Sequence, residues 1–87
     1  MTSALMKFIV EFRLKPGLKR KAVEVFELRE PNRNPGVTLQ QAWIGNHSDI
    51  VYLLAESESE SLVQKVAQGW SEYGTFEVHS VIDVEDF

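Results

Sequence analysis

The chain holds two histidines and no cysteine, so acid–base or metal chemistry has to run through His47, His79 and the carboxylates. His79 lies in TFEVHSV, where apolar and polar residues alternate as in a strand, and a strand pairing with MKFIVEFRL sets Glu11 beside it. A histidine whose tautomer is fixed by a neighbouring carboxylate can serve as a general base near neutral pH. That makes His79 and Glu11 the catalytic candidates. The plainer reading outweighs it: acid–histidine pairs form wherever an interfacial strand position needs a polar partner. His47 falls in GNHS between two apolar runs and reads as the tip of a hairpin.

Other chemistries find less support. The histidines show no HxH or HExxH spacing and no thiolate assists them, so no metal is expected. Ser57, Ser59 and Ser61 cluster at a helix start, none in a G-x-S-x-G elbow, and no phosphate-cradling loop is present. No cofactor is called for, and whether the protein is an enzyme stays open.

For ligand contact the candidates are Trp43 and Tyr52, wide amphipathic rings suited to stacking on a flat apolar molecule. Gln41 and Arg13 add polar groups on the same face. A dry dimer interface uses such aromatic residues as well and is the stronger reading. Arg13 reads first as a cross-strand salt bridge with Glu77.

These residues are positioned by a clear series of elements. Met6 to Leu14 alternates with period two and predicts a strand. Pro16 and Gly17 end it, and Leu18, Ala22, Val25 and Phe26 then recur at helical spacing over Leu18 to Arg29. The segment EPNRNPGV is an irregular connection. Thr38 to Ile44 and Asp49 to Ala55 form a hairpin. Ser57 and Glu60 have capping-box spacing at the start of a second helix, whose stripe is Leu62, Val66, Ala67, Trp70 and Tyr73. Gly74 ends it, and Thr75 to Val84 alternates as a fourth strand.

The order β-α-β-β-α-β predicts a ferredoxin-like α+β domain: a four-stranded antiparallel sheet, strand order 4-1-3-2, with both helices on one face. Pairing the outer strand with the first by residue numbers summing to about 90 sets Glu11 against His79, Arg13 against Glu77 and Lys7 against Asp83. A hairpin sum of about 93 groups Leu39, Gln41 and Trp43 with Ile50, Tyr52 and Leu54 on the helix-free face. The helix side takes Phe8, Val10, Phe12, Val51, Leu53, Phe76, Val78 and Ile82. The free face is too apolar for open water.

An 87-residue chain is one domain, residues 1–87, able to bury only ~60–65% of its unfolded surface, so pairing with a second copy is a natural way to gain burial. A net charge of −4 argues against nucleic acid. The one basic cluster, Lys15, Lys19, Arg20 and Lys21, reads as a solvated face before an anion site. No apolar run reaches the ~20 residues of a membrane span, and MTSALM lacks a signal-peptide pattern. A cytoplasmic protein is expected.

The MKFIVEFRL start, the PG entry to the first helix, the PGV and QAW segments and the WSEYGTFEVHSVID ending together resemble the dimeric alpha-beta barrel superfamily. More narrowly, they resemble one of its small families of unknown function, over about Met6 to Asp83. The resemblance implies a homodimer whose helix-free faces meet around an interior that often holds a small ligand. It also implies kinship with cofactor-free monooxygenases, muconolactone isomerases, stress-responsive barrels and ligand-sensing domains, none of whose specific motifs is present. The first five residues read as an extension ahead of the family-like start.

Overall fold

A computed structural model describes residues 5–28 and 36–87. The MTSAL extension, apart from Leu5, and the EPNRNP connection lie outside the described residues, as does Arg29. The elements run β1 (Met6–Leu14), α1 (Lys19–Leu28), β2 (Val37–Ile44), β3 (Ile50–Ser57), α2 (Glu60–Gln68) and β4 (Gly74–Val81), followed by a 3-10 turn at Val84–Asp86. All pairings are antiparallel, in the order β2-β3-β1-β4. This is the β-α-β-β-α-β fold expected from the periodicities.

Alternation along β1 decides the two faces. Phe8, Val10, Phe12 and Leu14 are buried on one side, where Phe8, Val10, Val37, Ala55, Val63 and Ala67 form one cluster. Phe12, Leu14 and Ala22 form another. Phe12 stacks on Phe76 with ring centroids 6.4 Å apart. Phe8, fully enclosed, joins three strands to α2. The first helix is held more lightly, by Ala22 against Phe12 and Leu14 and by Phe26 against Trp70 at 6.2 Å.

Helix α2 is capped differently from the expectation. The side chain of Ser59 accepts from the Ser61 N–H at 3.2 Å. Ser57 is instead the last residue of β3, fully buried, with its hydroxyl accepting the Ser59 N–H at 3.2 Å. The helix ends at Gln68, so Trp70 and Tyr73 reach the core from the turns that follow, their rings 5.6 Å apart.

The β1–β4 register differs from the expected sum by two residues, and the hairpin register does so from Gln41 to the loop. Across β1 and β4, Lys7 pairs with Val81, Ile9 with His79, Glu11 with Glu77 and Arg13 with Thr75. The cause is at the Gly74 end. A side chain there would collide with the Arg13 carbonyl, so Gly74 alone lets Leu14 lie directly opposite, and the Lys15 N–H donates to the Tyr73 carbonyl at 2.8 Å. The expected Lys7–Asp83 ion pair still forms, at 3.4 Å, from beyond the strand end. A shift of two preserves which face each side chain occupies.

In the hairpin, Trp43 pairs with Tyr52 and Gln41 with Leu54, around a loop over 46–49 that holds exposed His47. A register shift between Leu39 and Gln41 marks a bulge. The extra residue reverses the facing of the strand beyond it. Leu39 therefore pairs with Ala55 and packs on the core, not on the free face as expected. Ile82 is also displaced: it lies past the end of β4 and is 62% exposed. Lys19 ties α1 to the hairpin loop, donating from Nζ to the Gly45 carbonyl at 2.7 Å and the Ser48 carbonyl at 3.1 Å. That use of Lys19 separates it from the other cations of the basic cluster.

Candidate functional site

Parity along four paired strands turns the helix-free face into a grid. One row runs Thr38, Glu56, Lys7, Val81, and the next runs Gln41, Leu54, Ile9, His79. A third runs Trp43, Tyr52, Glu11, Glu77, and the last sets Ile50, Arg13 and Thr75 in line with Gly45, whose N–H donates to the Ile50 carbonyl at 2.8 Å. The sequence candidates Gln41, Trp43, Tyr52, Glu11, Arg13 and His79 thus share one surface. Its β2–β3 side carries Trp43, Tyr52, Leu54 and Ile50 beside the polar Thr38, Gln41 and Glu56, and its β4 side is polar apart from Val81. No helix of the described residues covers it, and Trp43 is 48% exposed.

On the polar side the pairing differs from the one expected. His79 sits opposite Ile9, and its Nε2 lies 3.5 Å from Oε2 of Glu77, not against Glu11. Glu11 meets Glu77 directly across the ladder and takes Arg13 Nη2 at 3.4 Å on its Oε2. Arg13 therefore pairs along its own strand and not with Glu77. The register shift brings both carboxylates and the imidazole together: one donor atom from each of Glu11, Glu77 and His79 lies within 4.8 Å of the others. Such a trio has the donor types of a divalent-cation site. The Arg13 guanidinium already supplies positive charge beside Glu11. A small depression of about 130 Å³ opens among Glu11, Arg13, Thr75 and Glu77.

A larger hollow lies on the other side of the sheet. Because α1 is lightly held, an apolar groove of about 510 Å³ runs between Val23 and Phe26 of α1, Val66 of α2, Trp70, and Leu39 and Ile44 of β2. Sequence reading did not find it. Its residues are ordinary core positions along each element, so nothing in their spacing marks a gap. The candidate chemistry is absent there: of the residues singled out from sequence, only Trp43 borders the groove.

Fold and face together define a small ferredoxin-like α+β protein with one side of its sheet uncovered by its own helices. Over residues 6–87 the chain matches the family model described as a domain of unknown function, DUF3303. It belongs to that family. No curated protein matches the chain.

Proposed function

We propose that the protein works as a homodimer, two copies meeting through their helix-free faces and holding a small, partly apolar molecule between the sheets around Glu11, Trp43, Tyr52 and His79. The observation that carries this reading is the uncovered face, where Ile9, Ile50, Tyr52 and Leu54 are only half-buried and Trp43 is exposed. A second copy suits the face in size. Four strands about 4.8 Å apart, with alternate residues about 6.7 Å apart along each, outline roughly 500 Å² per protomer. Two such faces reach the roughly 1,000 Å² that a specific interface needs. Packed sheets stand about 10 Å apart, and the polar β4 side then lines an interior rim.

The ligand is bound by stacking on Trp43 and Tyr52 and oriented by Gln41 and Arg13. A thermal-shift screen of aromatic and acidic metabolites, read with native mass spectrometry, tests this. The expected result is a dimer that one chemical class stabilises with a fixed stoichiometry. A dimer that no metabolite stabilises would remove the ligand from the account.

One observation favours a catalytic alternative, a cofactor-independent monooxygenase or isomerase. His79 is paired with Glu77 at 3.5 Å and has Glu11 close by, so a carboxylate can orient the ring while it takes a proton. In that case His79→Ala abolishes turnover and leaves the dimer intact; turnover that survives excludes His79 as the base.

A further inference from the structure

We propose that Glu11, Glu77 and His79 form a divalent-cation site on the helix-free face, one that takes first-row transition ions such as Zn²⁺ in preference to Ca²⁺ or Mg²⁺. All three donors come from one chain, so the site does not rest on the homodimer reading. Strand geometry assembles it. Glu77 and His79 are two residues apart in β4 and leave the same face as neighbours, with Nε2 of His79 3.5 Å from Oε2 of Glu77. The register then sets Glu11 directly opposite Glu77. One donor atom from each of the three lies within 4.8 Å of the other two. Around a tetrahedral zinc ion, with bonds of about 2.0–2.2 Å, ligand atoms stand about 3.4 Å apart. The His79–Glu77 pair already has that spacing. Closing on Glu11 takes a torsion adjustment in Glu77 and His79, whose side chains are more than half exposed and free to turn.

A simple His79–Glu77 ion pair leaves Glu11 unexplained. Its side chain is only 23% exposed, and it faces a second carboxylate across a ladder whose neighbours ordinarily attract. Arg13 answers that charge only in part. Its Nη2 reaches a single oxygen of Glu11 at 3.4 Å, beyond the about 2.7–2.9 Å of a close charge-assisted hydrogen bond, and its own side chain is 62% exposed. A divalent ion held between the carboxylates turns their repulsion into shared attraction.

The donor types decide which ion. Carboxylate oxygens alone suit Ca²⁺ and Mg²⁺, whereas an imidazole nitrogen among them moves the preference to zinc and its neighbours in the series. Three protein donors leave a further position open at the ion, for water or for an acidic group of a molecule held on the face. In place of His-x-His the strand carries Glu-x-His, and the third ligand lies on the neighbouring strand, where only the register reveals it.

Calorimetric titration of the untagged protein with zinc chloride tests the assignment, with circular dichroism to verify the fold of each variant. The chain has two histidines and no cysteine, so His47→Ala is the control for zinc taken up by an exposed imidazole. The expected result is one zinc per chain, bound as tightly in His47→Ala as in the parent. Binding should weaken at least about tenfold in each of Glu11→Gln, Glu77→Gln and His79→Gln, a loss that even an outer-shell partner carries. Calcium or magnesium at the same concentration should leave the zinc isotherm unmoved. Proton NMR of the parent reads the site without any variant: zinc should shift the ring resonances of His79 and leave those of His47 in place. The site is overturned by a parent protein that shows neither heat nor a His79 shift in excess zinc, by parental affinity in Glu11→Gln, or by binding that is lost with His47.

Discussion

Glu11 and Glu77 stand directly opposite each other across the β1–β4 ladder, two like charges where strand neighbours ordinarily attract. Arg13 answers one and His79 the other, at 3.4 and 3.5 Å. Like charges facing across strands destabilise a sheet, and each such pair is worth about 0.2–1 kcal/mol. Replacing Glu77 with Gln keeps an acceptor and removes the repulsion. Glu77→Gln is expected to raise the urea midpoint, measured at fixed protein concentration because association contributes to stability. The gain should shrink in concentrated salt, which screens the repulsion between the two carboxylates in the parent protein. A lowered midpoint would mean that the acid pair is held by something that needs both charges.

The core makes a sharper claim. Phe8 is 0% exposed and touches the cluster that joins β1, β3 and α2. Truncating a buried phenylalanine costs about 3–5 kcal/mol in lost transfer energy and cavity, a large part of the stability of so small a domain. Phe8→Ala should therefore be mostly unfolded or strongly destabilised in chemical denaturation. Ile82→Ala, beyond the strand end, should change stability by no more than about 0.5 kcal/mol. Equal effects would place Ile82 in the core after all.

Gly74 sets the β1–β4 register by closeness and not by backbone angle. A methyl group there meets the Arg13 carbonyl and the Leu14 Cα, both backbone atoms that cannot rotate aside. Gly74→Ala should cost about 1–3 kcal/mol through forced backbone movement. Hydrogen exchange should locate the damage at the Arg13–Leu14 end of the ladder, with the Lys7 end protected as before. Uniform loss of protection along β4 would show that the register is fixed elsewhere.

How far the fold was legible follows from which signals are local. Alternation in MKFIVEFRL marked β1 over Met6–Leu14, the bounds observed, since each residue reports its own face. Parity also put Glu11, Gln41, Trp43, Tyr52 and His79 on one surface. The register could not be read so well, because a slip of two keeps every face. The close approach of Gly74 to the Arg13 carbonyl belongs to the observed register and leaves no trace in the alternation. The bulge beyond Leu39 was hidden for a related reason: Gln40 and Gln41 are both polar, so no hydrophobic mismatch announces the extra residue. The cap was misplaced because Ser57 and Ser59 carry the same side chain, and only the extent of β3 decides which is left free. As for the site, the opposed Glu11 and Glu77 follow from that same unread register.

The central claim is that a second copy covers the helix-free face, and Leu54 tests it most directly, lying half-buried beside Ile9 and Gln41 on that face and away from the core. Sedimentation velocity at micromolar concentration compares the parent protein with Leu54→Arg, with circular dichroism to verify the fold. The account predicts a dimer for the parent and a folded monomer for Leu54→Arg, since the substitution buries an unpaired charge in the interface alone. A parent protein that sediments as a monomer, or a Leu54→Arg chain that stays dimeric, would contradict it.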